Sequence, residues 1–303
     1  MTAEARTPGP AQVPGPAQLP EPAQVPDVGG ETPIPSRAGR NLPAAIGVGL
    51  ALGALVCVPL FTVRWVFAGV IAAVIGVGIV EISRALRTAG IRVALLPLVV
   101  GGPLTVVLAY LRGPDALLFG LVATVLACLV WCVADGAPGF LVDVTASIFV
   151  ATYVPFLAGF AALLTAPEDG AARVTAFVAT TVCSDVGGYA AGVLAGRHPM
   201  APSVSPKKSW EGFGGSVLAC MICGVAVVST FVDISWWQGV LFGIAVAACA
   251  TIGDLGESLL KRDLAIKDMG HLLPGHGGIM DRLDSLVVVA PAVWLLLSWW
   301  APV

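Results

Sequence analysis

Ionisable residues gather in one run of this chain, residues 253–285, which read GDLGESLLKRDLAIKDMGHLLPGHGGIMDRLDS. Within it stand Asp254, Glu257, Lys261, Arg262, Asp263, Lys267, Asp268, His271, His276, Asp281, Arg282 and Asp284, between two apolar stretches. Acids of this kind hold divalent cations, the bases hold phosphate, and glycines let backbone amides approach an anion closely. Asp254, Ser258, Lys261 and Arg262 follow an i, i+4, i+7, i+8 pattern, which predicts one face of a helix. Asp281 and Asp284, three apart, share a face at the start of the next helix. A hard cation needs carboxylates from more than one place, and Asp254 with Asp281 supply them from two helix ends. The PGHGGIMDR segment between, with His276, Gly277 and Gly278, is a glycine-rich turn suited to phosphate oxygens. The chemistry expected is metal-assisted and acts on phosphate; the plainer alternative, a loop of surface salt bridges, does not require PGHGG.

Two further sets bear on the same chemistry. Asp185, in CSDVGGYAAG, falls inside an apolar run, where an ionised carboxylate costs a few kcal/mol unless paired or hydrated. It reads as a metal or substrate group, or as a structural aspartate bonded to a neighbouring helix. The segment SPKKSWEGFGG, Ser205 to Gly215, sets Lys207 and Lys208 after a proline turn and before a helix start. Its two ammonium groups suit phosphate or a lipid headgroup; a basic loop beside the membrane is the simpler reading.

The elements that must position these groups are membrane helices. With 57% hydrophobic and 12% charged residues over 303, and a mean hydropathy of +0.91, the chain is an integral membrane protein. Apolar runs near the length needed to span hydrocarbon recur at about 43–61, 65–80, 93–111, 116–134, 144–165, 174–196, 213–232, 236–253 and 285–301. The fold class expected is all-α and polytopic, with about nine spans, the N-terminus cytoplasmic and the C-terminus outside. That orientation places thirteen of the sixteen Lys and Arg residues on the inner side, together with loops 197–212 and 254–284. Residues 1–40 are expected to be a disordered cytoplasmic tail, since PGPAQV, PGPAQL and PEPAQV repeat there without core-forming side chains. The rest divides into N-terminal spans over 41–170 and a catalytic region over 171–303. Seven cysteines, all in apolar runs, argue against a disulfide framework, and neither Cys220–Cys223 nor Cys128–Cys132 has partners to complete a zinc site. A net charge of -3 gives no sign of a nucleic-acid partner.

The series S-x-x-K-R-x4-K-D-x-G-x2-L-P-G-H-G-G-I-x-D-R-x-D, from Ser258 to Asp284, resembles the signature of the phosphatidate cytidylyltransferases, or CDP-diacylglycerol synthases. SPKKSWEG and the Asp185–Tyr189 segment resemble that family's upstream blocks, with Ser209 where Thr is frequent and Gly188 where Ala is common. The resemblance covers about residues 180–285. It implies transfer of CMP from CTP to phosphatidic acid in a lipid bilayer, Mg2+ with K+ as a second metal, and a homodimer. On the matching positions, Asp254, Asp281, Lys261, Arg262 and Arg282 are expected to be catalytic. Ser205, Lys207, Lys208, Ser258, Lys267, His276, Gly277 and Gly278 are expected to bind substrate, and Asp254, Asp281, Asp185 and Asp284 to hold metal. The competing class is an ion-coupled secondary transporter, for which an intramembrane aspartate would line an ion path. No inverted repeat supports it, and the charges gather in one block. The spacing of CDP-alcohol phosphotransferases, D-G-x-x-A-R-x8-G-x3-D-x3-D, does not occur here.

Overall fold

The computed structural model describes residues 42–302, apart from 137, 233, 271 and 273–276. The Pro-rich tail and His276 therefore lie outside the described residues. Helices α1 (Leu42–Thr62), α2 (Arg64–Thr88), α3 (Leu95–Arg112) and α4 (Pro114–Asp135) follow one another through short joints. Next come α5 (Phe140–Ala151), a π-helical turn (Thr152–Phe156) and α6 (Leu157–Thr165), which run on as one apolar segment. The turn contains Pro155, whose missing N–H and ring cannot continue an α-helical ladder, and the widened turn absorbs it. Then α7 (Gly170–Ala195) leads to the hairpin strands β1 (Pro199–Ala201) and β2 (Ser205–Ser209), followed by α8 (Trp210–Phe231), α9 (Trp236–Asp263) and α10 (Met280–Trp300).

Among the described residues eight helical segments are long and apolar enough to cross a membrane, with the shorter apolar Gly53–Thr62 in α1 beside them. This is the polytopic helical fold the hydropathy pattern predicts. The hairpin inside loop 197–212 is an addition to it, and α9 runs past the expected end at 253 to Asp263. The charged residues of that extension follow helical spacing, so apolar content marks where the lipid ends and not where the helix ends.

Between apolar helices in lipid, burial gives little net drive, and close backbone packing takes its place. A Cβ on Gly187 would meet Ala219 at 2.5 Å and the Gly215 carbonyl at 2.7 Å, so α7 and α8 touch nearly backbone to backbone. A Cβ on Gly224 would come within 2.5 Å of the Gly239 carbonyl, which joins α8 to α9 in the same way. Gly253 does this for α9 and α10, where a Cβ would strike the Asp284 carbonyl. The buried side chains form two clusters. One spans α2 to α6 and takes in Leu264, Met269 and Met280; the other joins α7 to α10 with Leu60 and Phe67.

The end of the bundle opposite the charged loops is clasped. Arg173, 4% exposed, bonds Asp169 through Nε at 2.7 Å and donates from Nη2 to the Ala301 carbonyl at 2.7 Å. It thus ties the first turn of α7 to the last carbonyls of α10.

Candidate active site

The three charged segments meet at one end of α7 to α10, around a cavity of about 850 Å³. Asp185 stands ten residues before the end of α7, and Asp254 nine before the end of α9. At 1.5 Å per residue, the cavity reaches about 15 Å below the helix ends. A polar space at that depth answers the cost of an aspartate inside an apolar run, because Asp185 faces the cavity and not hydrocarbon.

Local chemistry builds the hairpin side. Ser209 caps α8 by accepting from the Gly212 amide at 3.1 Å. Glu211 then reaches back to the amides of Arg197 (3.1 Å) and His198 (3.2 Å) and to the His198 ring at 2.5 Å. These bonds fix the hairpin against the helix start, and both Lys207 and Lys208 line the cavity. Lys208 Nζ lies 2.6 Å from Asp254 Oδ2, which joins β2 to α9.

On the α9 side, Asp254, Glu257, Ser258 and Lys261 all line the cavity. Arg262 does not; its Nε donates to the Val204 carbonyl at the hairpin turn, 3.3 Å away. At about 100° per residue, the seven steps to Lys261 return to the face of Asp254, while eight overshoot by about 80°. Glu257, 2% exposed, lies on the cavity face and bonds Lys261 at 2.8 Å, but among the described residues its Oε1 has no hydrogen-bond partner.

The α10 side is assembled by Asp281. Its carboxylate accepts from the amides of Met269 (3.1 Å to Oδ2) and Gly278 (2.7 Å) and pairs with Lys261 at 2.5 Å. Gly277 takes a φ of +79°, open to glycine at little cost, and lines the cavity with Lys267, Asp268, Arg282 and Asp284. Gly278 and Ser205 are not among the lining residues; Gly278 packs against Gly270 and Glu81.

The cavity is therefore mixed in sign. Asp185 lies within electrostatic reach of Asp254, Asp284, Lys208 and Arg282, and Asp284 within reach of Asp254 and Lys261. Among the described residues no three acids, cysteines or histidines converge as a ready-made metal cluster. Asp254 and Asp281 line one cavity, yet each is held by its own lysine. The donor set still suits a hard cation: oxygen ligands from α7, α9 and α10, with the orphaned Glu257 oxygen beside Asp284. Lysines that neutralise carboxylates on one side and face open volume on the other can also exchange partners for phosphate oxygens.

The cytidylyltransferase family model matches residues 43–300 of this sequence. The chain belongs to the cytidylyltransferase family. It is a nucleotidyl-transferring enzyme embedded in a membrane through many helices. A phosphatidate cytidylyltransferase of Mycobacterium leprae (strain TN) is 43% identical over 279 residues, 86% of this chain and 89% of the relative. One of Mycobacterium tuberculosis (strain ATCC 25618 / H37Rv) is 43% identical over 277 residues, 87% of this chain and 84% of the relative. For a phosphatidate cytidylyltransferase of Staphylococcus epidermidis (strain ATCC 12228 / FDA PCI 1200), 43% identity extends over 116 residues, 38% of this chain and 44% of the relative.

The sequence, through spacing, charge placement and the family resemblance together, brought out Asp185, Lys207, Lys208, Asp254, Ser258, Lys261, Lys267, Gly277, Asp281, Arg282 and Asp284, and the fold gathers all of them at the cavity. It passed over Glu257 as a site residue, although three residues from Asp254 is helical spacing. Glu81 was passed over as well; its signal is a lone acid in a greasy helix.

Proposed function

We propose that this enzyme is a phosphatidate cytidylyltransferase, which transfers CMP from CTP to phosphatidic acid and yields CDP-diacylglycerol and pyrophosphate. The observation that carries this reading is one cavity, sunk among apolar helices, where cations from β2, α9 and α10 face carboxylates from α7, α9 and α10. A triphosphate and an anionic lipid repel each other, and such a lining removes the repulsion while the lipid tails stay in hydrocarbon. An oxygen of the lipid phosphate attacks the α-phosphorus of CTP, the bond from that phosphorus to the bridging oxygen breaks, and pyrophosphate leaves with the bonding pair. The lipid phosphate is already ionised, so no general base is required.

In this reading Lys207, Lys208, Lys267 and Arg282 contact phosphate oxygens, and Lys261 holds Asp281 in register with Glu257. Asp254, Asp281, Asp185 and Asp284 are the residues to hold Mg2+, with K+ as a second ion; when bound, Mg2+ supplies charge neutralisation of the triphosphate. The excess of Lys and Arg at the cavity's end supports a cytoplasmic site in the cell's inner membrane, the N-terminus inside and the C-terminus outside. Assembly as a homodimer belongs to the same proposal and rests on the family resemblance alone.

The test is turnover by purified protein given CTP, phosphatidic acid and Mg2+. The expected products are CDP-diacylglycerol and pyrophosphate in equal amounts. Solute uptake by reconstituted vesicles without consumption of CTP would instead favour a transporter.

A further inference from the structure

Glu81 lies on α2, in the N-terminal half, and is only 6% exposed. Among the described residues, none of the cavity lining comes from that half of the chain. An acid buried in an apolar helix needs a reason, and the contacts of Glu81 supply one. Its Oε2 accepts from the Met280 amide at 2.9 Å, across 199 residues of sequence. Met280 opens α10 and is fully buried, so Glu81 satisfies an amide that the helix itself leaves without a partner. A negative group at that place also complements the positive end of α10.

The glycines of the loop are shaped around this carboxylate. A Cβ on Gly270 would meet Glu81 Oε1, with Glu81 Cδ at 2.5 Å and Cγ at 3.0 Å, and no other atoms are as near. A Cβ on Gly278 would meet Glu81 Oε2 at 2.7 Å and the Gly270 amide nitrogen at 2.8 Å. Both ends of the segment 270–278 therefore close on one side chain. From the cavity side Asp281 accepts from the Met269 and Gly278 amides. The segment is gripped by two carboxylates, one reaching the cavity and one from outside it.

We propose that Glu81 is a positioning residue for the transfer reaction: it clamps Gly270, Gly278 and the start of α10, and so sets Asp281, Arg282 and Asp284 in place. The proposal rests on reading the cavity as the transfer site. It assigns a task to the N-terminal half, whose buried acid reaches Gly270, Gly278 and Met280 beside the site.

Three single variants and one double variant of the full-length purified protein test it, with activity and hydrogen exchange both measured. Glu81→Ala should lower kcat/KM for CTP by about tenfold or more while the protein stays folded. It should also speed amide exchange within 269–280 and leave α7 and α8 unchanged. Glu81→Gln keeps the shape and an accepting oxygen, and should restore activity to within about threefold of the parent. Gly270→Ala should be as damaging as Glu81→Ala, but the two changes together should be no worse than Glu81→Ala alone, because the methyl group then fills the space the carboxylate left. Should Glu81→Ala not yield a monodisperse protein, Glu81→Asp, one methylene shorter, carries the same comparison. Unchanged exchange in 269–280, or additive losses in the double variant, would overturn the clamp. A parent enzyme that exchanges as expected but forms no CDP-diacylglycerol would sink the proposed activity and leave the clamp standing.

Discussion

Asp254 and Asp281 reach the same cavity under different restraint. Asp254, with 27% of its side chain exposed, has a single lysine partner, whereas Asp281, 7% exposed, is gripped by Lys261 and two amides. Asp254→Asn and Asp281→Asn are each expected to cut Mg2+-dependent pyrophosphate release by about a hundredfold or more, measured on purified protein with CTP and phosphatidic acid. Only Asp281→Asn should also lower the thermal midpoint clearly, because it leaves Lys261 short of a buried counter-charge. If both variants turn over like the parent, these carboxylates are not the metal-holding groups. The seven-step interval from Asp254 to Lys261 was legible as one helical face, since helical rotation alone brings the two together. The eight-step interval to Arg262 was read too generously, since the same rotation carries it about 80° off that face; its bond to a hairpin carbonyl, distant in sequence, was not legible.

At the scale of elements, α7 and α8 form a wall of the cavity whose thinness comes from glycine. A Cβ on Gly215 would meet the Ala191 side chain and the Gly187 carbonyl at 2.7 Å, while a Cβ on Gly214 meets nothing within 4 Å. Neighbours in sequence therefore predict opposite outcomes. Gly214→Ala should leave activity and melting unchanged or slightly improved, as alanine favours the helix by up to about 1 kcal/mol. Gly215→Ala should force the helices apart, lowering the thermal midpoint by several degrees and turnover by about tenfold, as read by melting in detergent and initial rates. The sequence shows many glycines within its apolar runs, but not which of them face a partner. That depends on how α7 and α8 are rotated against each other, which apolar content on all sides of a helix does not encode.

For the molecule as a whole, hydropathy alone predicted the succession of spans, because lipid demands long apolar helices with internally satisfied backbones. The hairpin at 199–209 escaped notice, being too short and too polar to carry a strand pattern. The proposed orientation makes a direct prediction. A cysteine introduced into 197–212, in a background without the seven native cysteines, should react with an impermeant thiol reagent only after the membrane is opened. Labelling of intact cells would reverse the orientation. The Arg173 clasp, finally, joins the bundle at the end away from the cavity. With the start of α7 riveted to the tail of α10, the untied tips of these helices are the ones that border the cavity, and under the proposed function that is the end at which nucleotide enters and pyrophosphate leaves.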